Sequence, residues 1–492
     1  MAKLVEIQHF IAGEWVESPN GEAWPVRSPS TGEMLGEVKL GTVSEVDRAV
    51  AAAHAAKPQL AGLTVFERAE LLDRIADCIE AEKLAIARDL SLEQGKPYLS
   101  EAIGEVEAAI LMWRDAAEII KHLETEVLPS TDPNKRVFTI RQPRGVYGVI
   151  TPWNFPATIP TEYLCAGLAA GNTIVWKPSE FTPLTAIHIV RCCERAGLAA
   201  GVLNLVIGDG PTVGNSIASH PGINAVGLTG SPATGDKVAR AAGAKALLLE
   251  LGGNCPSIIF EDADLESAIE RTAYGSFVNA GQICDSVDRI FVHEKVHDQV
   301  VEGLMKASEA IRLGPSLDPE TTMGPLNNEH TAAKVDRHLE DARGKGAQIL
   351  TGGGRAEGFP TELYYRPTVV DGVTADMMLN REETFGPVAP VLTFSDLDEV
   401  VELVNHSELG LVAGVFTQDM SRAMYLGERL ETGIVNINEV PTYWQPHTPF
   451  GGHSAKRSGV GRLGGKYTIM EMSQLKTLVF DVRHESAKPP LT

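Results

Sequence analysis

The sequence predicts an α/β protein built on parallel sheets, and three observations carry that expectation. Short apolar runs recur at Gly145 to Thr151, Thr173 to Lys177, Leu203 to Ile207, Ala225 to Thr229 and Leu247 to Leu251, with Gly, Pro or Asn at their bounds and helical stretches between several of them. Strands alternating with helices in this way are the pattern of βαβ units. A second series at Ser257 to Phe260, Arg289 to His293, Ala389 to Phe394, Gly414 to Thr417 and Gly433 to Asn436 predicts a second α/β unit. With 492 residues, the chain is long enough for roughly three units of about 150 residues.

The remaining elements follow from local pattern. Phe66 to Gln94 sets Leu71, Leu72, Ile75, Ile79 and Leu84 at helical spacing and closes at Gly95-Lys96-Pro97. Glu101 to Leu123 reads as a second long helix, with Ile103, Val106, Ile110, Trp113 and Ala117 on one side. Glu124 to Arg144 alternates around Asp132-Pro133-Asn134, a hairpin signal. Leu475 to Val482 is strand-like and stands apart from both α/β units. A hairpin and a terminal strand leave open edges, which invite pairing with another chain.

Composition narrows the function. Acidic residues outnumber basic ones 65 to 43, for a net charge of −22, which argues against nucleic-acid or anionic-membrane partners. The stretch Met1 to Glu6 lacks the apolar core of a signal peptide, and no window reaches the roughly 18 apolar residues of a membrane helix. Six cysteines (Cys78, Cys165, Cys192, Cys193, Cys255, Cys284) are too sparse for a disulfide framework, and none forms a CxxC pair, so no metal site is expected. A reducing cytoplasm fits.

Three segments carry chemistry. Asn279-Ala280-Gly281-Gln282-Ile283-Cys284 presents a thiol after a Gly-containing turn, Glu250-Leu251-Gly252-Gly253 offers a carboxylate at the end of an apolar run, and Thr151-Pro152-Trp153-Asn154-Phe155-Pro156 offers a carboxamide. Thiol, carboxylate and amide donor are the parts needed for covalent chemistry on a carbonyl. The glycine patterns are weaker. Gly208-Asp209-Gly210-Pro211-Thr212-Val213-Gly214 is spaced GxGxxxG, not GxGxxG. Gly230-Ser231-Pro232-Ala233-Thr234-Gly235 opens a helix at Asp236 to Ala242, whose first N–H groups can hold a pyrophosphate, although a plain turn explains the same pattern.

Taken in order, Phe10 to Trp15, Thr151 to Pro156, Trp176 to Glu180, Thr229 to Ser231, Glu250 to Gly253, Gly281 to Cys284, Glu382 to Pro387 and Pro449 to Gly452 resemble the NAD(P)+-dependent aldehyde dehydrogenase superfamily, in its hydrolytic, non-CoA-acylating branch. The resemblance implies a Rossmann-like NAD-binding domain (1–123 and 145–251), an α/β catalytic domain (252–470) and a small β oligomerisation segment (124–144 and 471–492), assembled as a homodimer or homotetramer. It implies that Cys284 attacks the aldehyde, that Asn154 and the Cys284 N–H form the oxyanion hole, and that Glu250 is the general base for thioester hydrolysis. Cofactor contacts fall on Thr151, Trp153, Lys177, Glu180, Gly210, Gly230, Ser231, Leu251, Glu383 and Phe385. Glu180 would repel a 2′-phosphate, so NAD+ is expected, with Lys177 leaving NADP+ open.

The chain departs from the family pattern in three places, one of them only the conservative Leu228 for Phe before Thr229-Gly230-Ser231. Gly461-Arg462-Leu463 stands where many members have Gly-Arg-Glu, so an accessory acid is missing there, and the loop from Gly452 to Gly459 is two residues longer. The resemblance puts Phe155, Ile159, Glu162, Ile283, Asp285, Tyr443, Trp444 and His447 along the substrate tunnel. Two of these are carboxylates and none is arginine, the partner an anionic substrate usually requires. A neutral aromatic or aliphatic aldehyde, or an aminoaldehyde, is therefore expected. The alternatives are an anionic semialdehyde or, in another class, a cysteine hydrolase or acyltransferase, which would need a His beside Cys284. A non-catalytic relative is disfavoured by the presence of all three catalytic residues.

Overall fold

The computed structural model describes residues 5–483. Five parallel strands form the centre of its first sheet, in the spatial order Ala246–Leu251, Ala225–Gly230, Val146–Ile150, Thr173–Lys177 and Leu203–Leu205. Their side chains are almost all buried, as expected where helices cover both faces. Chain order reverses beside Val146–Ile150, so the crevice beyond the carboxyl ends of these strands is the natural place for a ligand. The segment around Phe10 to Trp15 adds two antiparallel strands, His9–Ile11 and Glu14–Val16, at one edge.

The second sheet has seven strands, with Cys255–Ile259, Val287–His293, Val388–Phe394 and Val412–Phe416 at its centre. A small third sheet pairs Ser473–Asp481 with Lys135–Pro143 over nine residues, and Val127–Leu128 completes the expected hairpin. Another three-stranded sheet is formed by Val5–Glu6, Met34–Lys39 and Ala23–Arg27.

The structure differs from the sequence expectation at three points. Phe66 to Gln94 is two helices, Val65–Ala81 and Lys83–Gln94, because Glu82 leaves helical geometry and its carboxylate binds Arg195 of another helix. The helix expected from Glu101 is Ile103–Lys121, preceded by a π-helical turn at Tyr98–Ala102. Gly459–Val460, inside the range 252–470 expected for the second domain, pairs antiparallel with Leu249 and Glu250 of the first sheet. The chain thus returns to the first sheet before 470, covering the backbone groups of what would be an edge strand.

Candidate active site

Cys284 sits at the end of a backbone segment that few sequences could adopt. After the helix Leu265–Phe277, Asn279, Ala280 and Gly281 all lie in the left-handed region, with φ of 51°, 53° and 70°. For Asn and Ala this costs of order 1–2 kcal/mol each, which surrounding bonds must offset. The Asn279 side chain donates to the Asn154 and Gln282 carbonyls (both 3.2 Å) and accepts from Gln94 Nε2 (3.1 Å). Its backbone N–H donates to Glu101 Oε1 (3.3 Å), and Gln282 Nε2 donates to the Asn279 carbonyl (2.8 Å). At Gly281 a Cβ would lie 2.1 Å from the Gly386 carbonyl oxygen, so only glycine fits.

This loop brings the catalytic candidates together. Asn154 Nδ2 donates to the Gln282 carbonyl (3.1 Å), two residues before Cys284, and its second N–H is left for a ligand. Glu250, next to last in its strand, is 4% exposed, and its Oε1 has no hydrogen-bond partner. Burial holds the Glu250 carboxyl well above the usual range. Burial, and then the Glu250 charge, hold the thiol well above its own.

Cys284 and Glu250 face a cavity of about 390 Å³, and Phe155, Ile159, Glu162, Ile283, Asp285 and Trp444 share its wall. Tyr443 and His447 do not. Tyr443 is exposed and accepts a bond from Gln445 Nε2 (3.1 Å).

The cavity also contains charged groups that sequence reading did not single out. Lys96 Nζ lies 2.6 Å from Glu105 Oε2 and 3.7 Å from the centre of the Phe155 ring, with both charged side chains at most 2% exposed. Glu105 Oε1 accepts from the N–H groups of Ala157 (2.8 Å) and Thr158 (3.4 Å), serving the helix Thr158–Ala169, which has no side-chain cap of its own. Glu101 lies beside them, pushed up to about 7 by burial. The only signal was their proximity to the Gly95-Lys96-Pro97 break, which by itself reads as a helix end.

The other half of the expected site lies along the carboxyl edge of the first sheet. Thr151 accepts from Trp176 Nε1 (2.9 Å), Lys177 Nζ pairs with Glu180 (3.1 Å), and Trp153 packs edge-on against Phe385 (5.6 Å). Phe385 is itself left-handed, at φ 58°. Gly230 and Leu251 are paired strand ends, and Ser231 caps the helix Pro232–Ala242. Glu383 keeps Oε1 buried without a partner, and burial raises its carboxyl to about 7. It packs where a Cβ on Gly252 would stand 2.6 Å away. Gly210 begins the turn Gly210–Gly214 and is open on its side-chain side.

Residues 15–478 match the model of the aldehyde dehydrogenase family. The chain belongs to that family. It is 39% identical over 477 residues to the NADP+-dependent succinate-semialdehyde dehydrogenase of Escherichia coli, covering 96% of this chain and 98% of that one. The NAD+ complex of an aldehyde dehydrogenase from Bacillus cereus superposes with a TM-score of 0.94 at 36% identity, covering 97% of each chain. Betaine aldehyde dehydrogenase from Staphylococcus aureus, solved with NAD+, gives 0.94 at 31% identity, covering 98% and 96%.

This aldehyde dehydrogenase is an oxidoreductase acting on the aldehyde group with NAD or NADP. Its residues fit a dinucleotide. The Ser231-capped N-terminus of an eleven-residue helix, a largely buried Lys177–Glu180 pair and the unpartnered buried Glu383 carboxylate are the groups that would hold it. No His lines the cavity, so the hydrolase alternative lacks its base. Leu463 is buried and bridges Phe450 through paired backbone bonds (2.8 and 2.9 Å), leaving no acid at that position. Among the described residues no helix is long and apolar enough to cross a membrane, and no group of three or more His, Cys, Asp or Glu could hold a metal ion.

Proposed function

We propose that Cys284 attacks the aldehyde carbon, with the free Asn154 side-chain N–H and the Cys284 backbone N–H holding the developing oxyanion, and that Glu250 then takes a proton from the water that releases the acid. The observation carrying this reading is that Cys284 and Glu250 line one cavity, with Asn154 bonded to the loop that carries Cys284. Glu250 suits a base because its burial strengthens its hold on a proton. When bound, the nicotinamide dinucleotide supplies the hydride acceptor. Lys177 and Glu180 would hold its adenosine ribose; Gly230, Ser231 and the helix start its pyrophosphate; Glu383 and Phe385 its nicotinamide ribose and ring. Thr151, Trp153, Gly210 and Leu251 would complete the crevice. Glu180 favours NAD+ over NADP+.

The substrate we infer is a neutral aromatic or aliphatic aldehyde or an aminoaldehyde. A relative named for succinate semialdehyde argues for an anion, but the cavity wall holds several carboxylates and no arginine. Kinetics with benzaldehyde, hexanal, 3-aminopropanal and succinate semialdehyde, with NAD+ and NADP+ and Cys284→Ala as blank, test both points; the highest kcat/KM on succinate semialdehyde would overturn the substrate reading. The division into domains at 1–123 with 145–251, 252–470, and 124–144 with 471–492 is proposed with the reassignment of Gly459–Val460 noted above; residues 1–4 and 484–492 lie outside the described ones. A homodimer or homotetramer through the small third sheet is supported by the exposed Leu475, Val479 and Phe480 on its edge strand. Six free cysteines support a cytoplasmic setting.

A further inference from the structure

We propose that the Glu162–Asp285 side of the cavity is a cation subsite, so that the preferred substrates carry an ammonium group a short distance from the aldehyde carbon. This rests on the reading that the cavity holds the aldehyde. Asp285 directly follows the nucleophile, is 6% exposed, and still faces the cavity. Glu162 projects into the same space from the helix Thr158–Ala169. Neither carboxylate takes part in a salt bridge or side-chain hydrogen bond among the described residues; burial and the Asp285 charge push Glu162 up to about 8, and burial pushes Asp285 up to about 7.

The single lysine of the wall is already committed. Lys96 is locked to Glu105 at 2.6 Å, and Glu105 is bonded in turn to the start of the Glu162 helix. A buried carboxylate pair without a counter-ion is a cost that a fold retains only where something relieves it. An ammonium group, with three donors and a positive charge, relieves both at once. An independent feature points the same way: Tyr274, Trp444 and Phe450 line the cavity with aromatic rings, which attract cations, as Phe155 already does for Lys96. An anionic end group would instead add a further like charge to the wall.

The test compares 3-aminopropanal with its neutral isostere butanal and with succinate semialdehyde on the purified enzyme with NAD+. We expect kcat/KM for 3-aminopropanal to exceed that for butanal by about tenfold or more, mainly through KM. In Glu162→Gln and Asp285→Asn that ratio should fall toward unity. Wild-type enzyme provides a second readout that does not depend on the variants folding: propylammonium should compete with butanal, whereas 1-propanol at the same concentration should not. Butanal turned over as well as 3-aminopropanal, or propylammonium no better a competitor than 1-propanol, would overturn the cation subsite while leaving the cavity assignment intact. Failure to oxidise any aldehyde with NAD+ or NADP+ would overturn the cavity assignment itself.

Discussion

At Cys284, the proposed nucleophile, burial and the neighbouring Glu250 both disfavour the thiolate. Cys284→Ala should cost more than about 10³-fold in kcat with an unchanged circular dichroism spectrum. Asn154→Ala should lower kcat by about 10²–10³-fold, as removal of one oxyanion donor does elsewhere, with KM little altered in steady-state assays. Glu250 must be ionised to accept a proton from water, and its carboxyl is raised. Activity should therefore be lost as pH falls, at a pH well above that at which an ordinary carboxylate titrates, and should rise toward alkaline pH. Glu250→Gln should remove that limb and let acyl-enzyme accumulate, detectable by intact-protein mass spectrometry. These three residues were legible because each sits in a short local motif. Tyr443 and His447 lie off the cavity wall that Thr442, Trp444 and Pro446 share, because how a turn-rich segment presents its side chains is set by what it packs against, which a family resemblance does not fix.

Among the elements, the strained loop and the Glu105 carboxylate show how the site is held. The left-handed run from Asn279 to Gly281 persists because Gln94, Glu101, Asn154 and Gln282 bond to it from separate segments. Glu105 neutralises Lys96 and serves the start of the Glu162 helix. Glu105→Ala would leave a buried ammonium and two N–H groups without partners, and should destabilise the fold by about 3–5 kcal/mol in denaturant unfolding. Neither device was visible beforehand. A charged residue within a helical pattern looks like part of the solvated face unless a distant partner turns it inward, and the break at Glu82 was hidden by apolar spacing that continues across it.

For the whole molecule, the small third sheet is the feature that reaches outward. Ser473–Asp481 forms its edge, with Leu475 and Val479 exposed and Phe480 stacked on Phe138 (5.1 Å). Long exposed apolar edges are rarely left open. Leu475→Lys with Val479→Lys should therefore shift the protein to a smaller mass in gel filtration with its far-ultraviolet spectrum unchanged; an unchanged elution volume would place the interface elsewhere. The sequence by itself determined the alternation of strands and helices, the hairpin and terminal strand, and the family motifs that carry the proposed nucleophile, base and amide donor, because these are encoded within a few residues of one another. Tertiary structure alone decided that Lys96 and Glu105 are a buried pair, that Glu162 and Asp285 line one cavity, and that Gly459–Val460 returns to the first sheet. Each of these depends on which distant segments meet, and local periodicity does not record that.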